Sequence, residues 1–111
     1  MTTTHDYTET PPSRAEIDAQ TGLMVLEFGT PWCGHCQAAA SPISKVLAAH
    51  PGVEYLKIED GPGRRLGRSY RVKLWPTLIF LRDGEELDRV VRPTDEAAVS
   101  AAFEHLVGAA G

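Results

Sequence analysis

Apolar residues gather along this chain in two kinds of pattern. Leu23–Phe28 (LMVLEF) and Val53–Ile58 (VEYLKI) are nearly unbroken apolar stretches of strand length, interrupted by Glu27 in the first and Lys57 in the second. Runs of this kind suit strands covered on both faces. Thr77–Leu81 and Glu85–Val91 flank the segment RDGE, whose Asp83-Gly84 pair is a strong turn signal, so they predict a β-hairpin. Elsewhere the spacing is helical. PPSRAEIDAQTG predicts a short helix with a cap at Ser13, an acid at Glu16 and a stop at Gly22. From Cys33 to about His50 the Ala, Ile, Val and Leu positions predict a helix interrupted by Pro42, which removes a backbone hydrogen bond and generally kinks the rod. GPGRRLGRSYRV predicts a glycine-broken loop with a short helix over roughly Arg64–Tyr70. The last segment, TDEAAVSAAFEHLVGAAG, predicts an amphipathic helix starting at Thr94 with acids in its first turn, and with Ala98, Ala101, Ala102, His105 and Leu106 along one side.

The order helix, strand, helix, strand, helix, strand, strand, helix predicts an α/β fold, a three-layer α/β/α sandwich. Strands alternating with helices are expected to build a parallel sheet through right-handed crossovers, and the terminal hairpin to add an antiparallel edge that makes the central sheet mixed. At 111 residues the chain is expected to form a single domain over 1–111, with 1–12 as a flexible polar lead.

Composition narrows the class. The hydrophobic share of 42% and charged share of 23% are those of a soluble globular domain. No apolar run approaches the roughly 20 residues needed to cross a bilayer, so no membrane partner is expected. The start MTTTHDYTETPP lacks the basic and apolar segments of a secretory signal, which leads to the expectation of a cytoplasmic protein. A formal charge of −4 argues against nucleic acid as a partner. The charge is uneven, because Arg64, Arg65, Arg68, Arg71 and Lys73 follow one another with no acid between Gly61 and Leu74. This is either a solvated face or a positive rim beside a site.

The only cysteines, Cys33 and Cys36, lie in FGTPWCGHCQAAASP, where the first strand has ended and a helix begins. Unpaired N–H groups and the positive helix end there favour a thiolate. Residues three apart on a helix lie about 5–6 Å from each other, within reach of a disulfide. Cys33 at the tip is expected to be exposed and Cys36 one turn in to be shielded. A zinc site, a cluster shared across a homodimer and an unreactive relic are the competing readings. Zinc commonly needs four ligands, and here no second pair accompanies scattered His5, His50 and His105.

WCGHC at Trp32–Cys36 and WPT at Trp75–Thr77 resemble the active-site motif and the cis-proline loop of the thioredoxin family, and the element order matches from roughly Ser13 to Val107. The resemblance implies a thioredoxin-like fold and a thiol–disulfide oxidoreductase that reduces protein disulfides. Cys33 would be the nucleophile, Cys36 the resolving thiol, and Pro76 a cis-proline facing them. Trp32, Gly34, Trp75, Pro76 and Arg92 would frame the substrate groove, where the Trp75 backbone could pair with an extended substrate. Glu27 stands where relatives carry an aspartate that relays the resolving thiol's proton through water, and Lys57 matches a lysine near that acid. A strand-end Glu27 reaching solvent and a snorkelling Lys57 are the bland alternatives. The resemblance further implies no bound cofactor beyond the Cys33–Cys36 disulfide, no metal, a monomer, and electrons from a partner such as thioredoxin reductase. His35 gives the CGHC form of protein disulfide isomerases. By stabilising the Cys33 thiolate it would make the disulfide more oxidising, which keeps an oxidase or isomerase as an alternative. A binding module without turnover is the third reading. Pro42 stands one residue later than the family's usual kink, and Gly29, Thr30 and Pro31 depart from the residues usual before the motif.

Overall fold

The computed structural model describes residues 6–110, with side chains through 108. Its elements are α1 (Arg14–Asp18), β1 (Leu23–Gly29), α2 (Gly34–Ala48), β2 (Glu54–Glu59), α3 (Arg65–Ser69), β3 (Thr77–Arg82), β4 (Glu85–Val91) and α4 (Glu96–Ala110). The strands form one mixed sheet in the order β2-β1-β3-β4.

Alternation along β1 and β3 divides the core into two layers. Val25, Leu78 and Phe80 point to the side packed by Ala39, Ile43 and Val46 of α2 and by Val99, Ala102, Phe103 and Leu106 of α4. Met24, Leu26, Phe28, Ile79 and Leu81 point the other way, onto Ile17 of α1 and Leu66 of α3. The expected sandwich is thereby built, each strand face sealed by helices.

The sheet is mixed, but its parallel part is smaller than expected: only β1 and β2 run parallel, while β3 lies antiparallel to β1, with Phe28 opposite Thr77, and also antiparallel to β4. The chain enters β3 at the end of the sheet where β2 finishes, since Phe28 lies opposite both Ile58 of β2 and Thr77 of β3. This is the end that carries Cys33, so the turn at Trp75 and Pro76 arrives beside the cysteines.

Ser13 and Glu16 form a capping box on α1, which ends at Asp18, ahead of Gly22. Asp83 (φ 49) and Gly84 (φ 80) both take left-handed backbone in the hairpin turn, as that turn type requires. Pro42 lies within a single continuous α2.

Two sequence expectations about α4 need correcting. Its first turn is held by Asp95, whose Oδ1 accepts from the Ala98 N–H, rather than by Thr94. Its buried face is Val99, Ala102, Phe103 and Leu106, while Ala98, Ala101 and His105 are exposed. The bulkiest apolar side chains set the inward face, and the small alanines tolerate either side.

The polar lead is also not free throughout. The Thr8 N–H donates to the Lys57 carbonyl at 2.8 Å, and the Thr8 carbonyl accepts from the Glu59 N–H at 2.9 Å. Two backbone bonds thus add a one-residue bridge to the exposed edge of β2. Residues 1–5 of the expected lead lie outside the described residues.

Candidate active site

Cys33 caps α2 in extended backbone (φ −79, ψ 124), and no side chain fills the cap. Its thiol therefore faces the open N–H groups of the first turn. Both cysteines are free thiols; Cys33 is partly exposed and Cys36 is buried. Partial burial pushes the Cys33 thiol up. The backbone N–H and thiol of Cys36, the His35 backbone N–H and the Arg92 charge outweigh it, so the thiol sits below its ordinary range. Burial pushes the Cys36 thiol up, and neighbouring Cys33 adds to the rise. The Thr30 N–H and the Tyr7 hydroxyl oppose it without cancelling it. The expected asymmetry is present: an accessible, acidified Cys33 and a shielded, protonated Cys36.

His35 is exposed, and the part of it that bears on Cys33 is the backbone N–H. Gly34 is exposed at the helix start, with open space where a Cβ would project.

The surface around Cys33 is built by aromatic and cationic groups. Trp32, 71% exposed, meets Trp75 edge-on with ring centroids 5.7 Å apart. The Trp75–Pro76 bond is cis, and Pro76 is buried. The Trp75 indole N–H donates to Asp60 Oδ2 at 2.9 Å, and that carboxylate packs on Gly67, where a Cβ would come within 2.2 Å of it. Arg92 adopts left-handed backbone (φ 49), its N–H donates to the Pro76 carbonyl at 2.9 Å, and its Nε donates to the Trp75 carbonyl at 2.8 Å. The backbone of Trp75 expected to receive substrate is thus already engaged through one carbonyl lone pair.

Behind the cysteines, Glu27 is only 3% exposed, which removes the reading of a strand-end residue reaching water. Its Oε1 accepts from the Tyr55 hydroxyl at 2.5 Å and its Oε2 accepts from the Tyr7 hydroxyl. Lys57 is its neighbour across the β1–β2 pair and places Nζ 4.4 Å from the Tyr7 ring centroid. A cleft of about 400 Å³ beside Cys36 is lined by Asp6, Tyr7, Thr30, Gln37 and Lys57 among others. The extra methylene of glutamate is accommodated by a direct phenol contact on each oxygen.

Sequence reasoning singled out neither Tyr7 nor Tyr55. Tyr7 had one signal, as the only aromatic residue before Phe28, set in an otherwise polar lead. Within the basic stretch, Arg64, Arg68, Arg71 and Lys73 line a shallow concavity with Asp60 and Trp75, and Arg64 is in addition paired with Glu59 (2.6 Å) and Glu9 (3.1 Å). No group of three or more histidines, cysteines and acids able to hold a metal occurs among the described residues.

Comparisons with known proteins agree with this geometry. The thioredoxin family profile, described simply as Thioredoxin, matches residues 7–105. The structure of thioredoxin 2 from Pseudomonas aeruginosa PAO1 in its reduced form is 55% identical, with a TM-score of 0.86, over 94% of this chain and 96% of that one. Thioredoxin H-type 1 of Nicotiana tabacum is 30% identical over 75% of this chain and 66% of its own length. Protein disulfide-isomerase A2 of Homo sapiens is 35% identical over 87% of this chain but only 23% of that protein. The chain thus spans somewhat less than two thirds of the tobacco relative and under a quarter of the human one. With the exchange-competent cysteine pair, the cis-proline turn and the profile match in agreement, the chain belongs to the thioredoxin family and carries a thiol–disulfide exchange centre of the CGHC form.

Proposed function

We propose that the protein reduces disulfides of other proteins. The observation that carries this reading is the asymmetry of the pair: Cys33 is partly exposed with its thiol held low, and Cys36 is buried with its thiol held high. The Cys33 thiolate attacks a substrate disulfide, releases one substrate thiolate and forms a mixed disulfide. Cys36 then attacks Cys33 and releases the second. Glu27 serves the proton of Cys36, and Trp32, Trp75, Pro76 and Arg92 border the docking surface. No cofactor takes part in these steps; a reductase of the thioredoxin reductase kind restores the dithiol. The reading places the protein in the cytoplasm, where a reducing pool keeps such pairs as thiols. The exposed Arg68, Arg71 and Lys73 beside Trp75 favour substrates with acidic surfaces, whose association slows as salt rises. Insulin reduction by dithiothreitol tests the assignment: Cys33→Ser is expected to abolish the acceleration, and Cys36→Ser to accumulate mixed disulfides. Undiminished turnover by Cys33→Ser removes the reading.

A net oxidase or isomerase is the second reading, favoured by His35 and by the likeness to a protein named as a disulfide isomerase. Reduction potentials of the wild type and His35→Pro separate the two. A potential that falls on substitution assigns the oxidising bias to His35, and an unchanged one removes His35 from the account.

A further inference from the structure

We propose that the Tyr7 hydroxyl is the proton bridge between Glu27 and Cys36, and hence a catalytic residue of the resolving step. The hydroxyl donates to Glu27 Oε2, and its oxygen and the Cys36 sulfur converge on the same space over Gly29. The two groups meet over Gly29, where a Cβ would lie 2.6 Å from Cys36 Sγ and 2.8 Å from the Tyr7 oxygen. Absence of a side chain at residue 29 is what lets phenol and thiol meet. The contact is anchored from outside by the two backbone bonds of Thr8 to β2 and from inside by Tyr55, which fixes the other Glu27 oxygen.

A phenol owns one proton and donates to one acceptor at a time. While Cys36 is a thiol, Tyr7 donates to the Glu27 carboxylate and accepts from the S–H. A concerted shift moves the Cys36 proton to the Tyr7 oxygen and the Tyr7 proton to Glu27. It leaves a thiolate, a neutral phenol and a carboxylic acid. The Cys36 thiolate then attacks Cys33 in the mixed disulfide. The Cys36–Cys33 bond forms, the Cys33–substrate bond breaks, and its electron pair leaves on the substrate sulfur, which takes a proton from water. Reduction of the Cys33–Cys36 disulfide by a donor dithiol reverses the shift and returns the proton from Glu27 to Cys36. No tyrosinate is required. Burial, then the charge and hydrogen bond of Glu27, hold the Tyr7 phenol far above its ordinary range.

The groups facing this bridge are Asp6 from its own segment, Thr30 from the loop after β1, Cys33 and Cys36 of the α2 N-terminus, Glu27 of β1, and Tyr55 and Lys57 of β2. Lys57 supplies the cation over the Tyr7 ring, and Tyr7→Phe leaves a ring in place for it.

The test is stopped-flow reaction of the fully reduced protein with 5,5′-dithiobis(2-nitrobenzoate). The first thionitrobenzoate reports attack by Cys33, and the second reports resolution by Cys36. In Tyr7→Phe the first release is expected to keep its rate to within about twofold, and the second to slow by ~10- to 100-fold near neutral pH. The slowing should shrink as pH rises and hydroxide replaces the bridge. Glu27→Gln should show the same pH-dependent loss, and the double variant should be no slower than the slower single. This second variant keeps the test intact if Tyr7→Phe folds poorly. A second release unaffected by either substitution, a slowing uniform across pH, or losses that multiply in the double variant would overturn the proposal. A small disulfide serves as oxidant throughout, so the outcome does not depend on the protein-substrate reading above.

Discussion

The Arg92 side chain donates through Nε to the Trp75 carbonyl at 2.8 Å, and this bond ties the cation that acidifies Cys33 to the residue preceding the cis-proline. Arg92 holds this place from left-handed backbone (φ 49), a conformation that glycine adopts without penalty.

Arg92→Gly is therefore expected to fold at least as well as the wild type, and to let the Cys33 thiol climb toward its ordinary value. Alkylation of Cys33 by iodoacetamide at pH 7 should slow by about two- to fivefold, with a smaller difference at high salt, where the Arg92 charge is screened. Unchanged alkylation at low salt would show that the Cys36 and His35 N–H groups and the Cys36 thiol lower the Cys33 thiol without help from Arg92.

All three tyrosines of the chain are held neutral by the fold. Burial is the leading cause for each, followed for Tyr7 and Tyr55 by the charge of Glu27. An unfolded tyrosine ionises near pH 10. Because the folded values are higher, the stability these groups contribute is complete below about pH 10. It is lost as pH rises toward the folded values, because the unfolded chain sheds protons that the native state keeps. Guanidinium unfolding followed from pH 8 to strongly alkaline pH should show stability falling above pH 10, by up to about 1.4 kcal/mol per pH unit for each tyrosine. Tyr55→Phe should flatten the fall, at the cost of leaving Glu27 Oε1 without its donor, a loss of about 1–3 kcal/mol at neutral pH.

Gly29 separates two effects that a larger residue would confound. A Cβ there falls 2.6 Å from Cys36 Sγ, so Gly29→Ala must push the thiol, the phenol or β1 aside. A destabilisation of about 1–3 kcal/mol is expected by denaturant unfolding. Cys36 should also resolve mixed disulfides more slowly, while Cys33 alkylates at nearly the wild-type rate. A variant with wild-type stability and resolution would mean that the site yields without cost.

Much of the fold could be read from sequence because it depends on local patterns. The apolar runs of β1 and β2, the Asp83-Gly84 turn, the capping box of α1 and the glycine-broken α3 segment each report on a few adjacent residues. The cysteine pair was legible for the same reason. Three apart at a strand-to-helix junction, its exposure and acidity follow from helix geometry, and WPT with a comparable element order carried the resemblance.

Other features depend on residues that meet only after the chain has closed. The antiparallel seating of β3 beside β1 brings Trp75 and Pro76 to the cysteine end of the sheet. The inward face of α4 was decided by which side chains filled the layer against Val25 and Phe80. The surroundings of Glu27 were the least legible. From the sequence it is a carboxylate in an apolar strand, a group whose burial without partners is prohibitively costly. Its partners are Tyr7 and Tyr55, 20 and 28 residues away in opposite directions along the chain. By itself the sequence determined a mixed α/β sandwich with an exchange pair at a helix tip. Only the tertiary structure decided how Cys36 is served, because a buried proton path exists only where distant polar groups are brought together out of water.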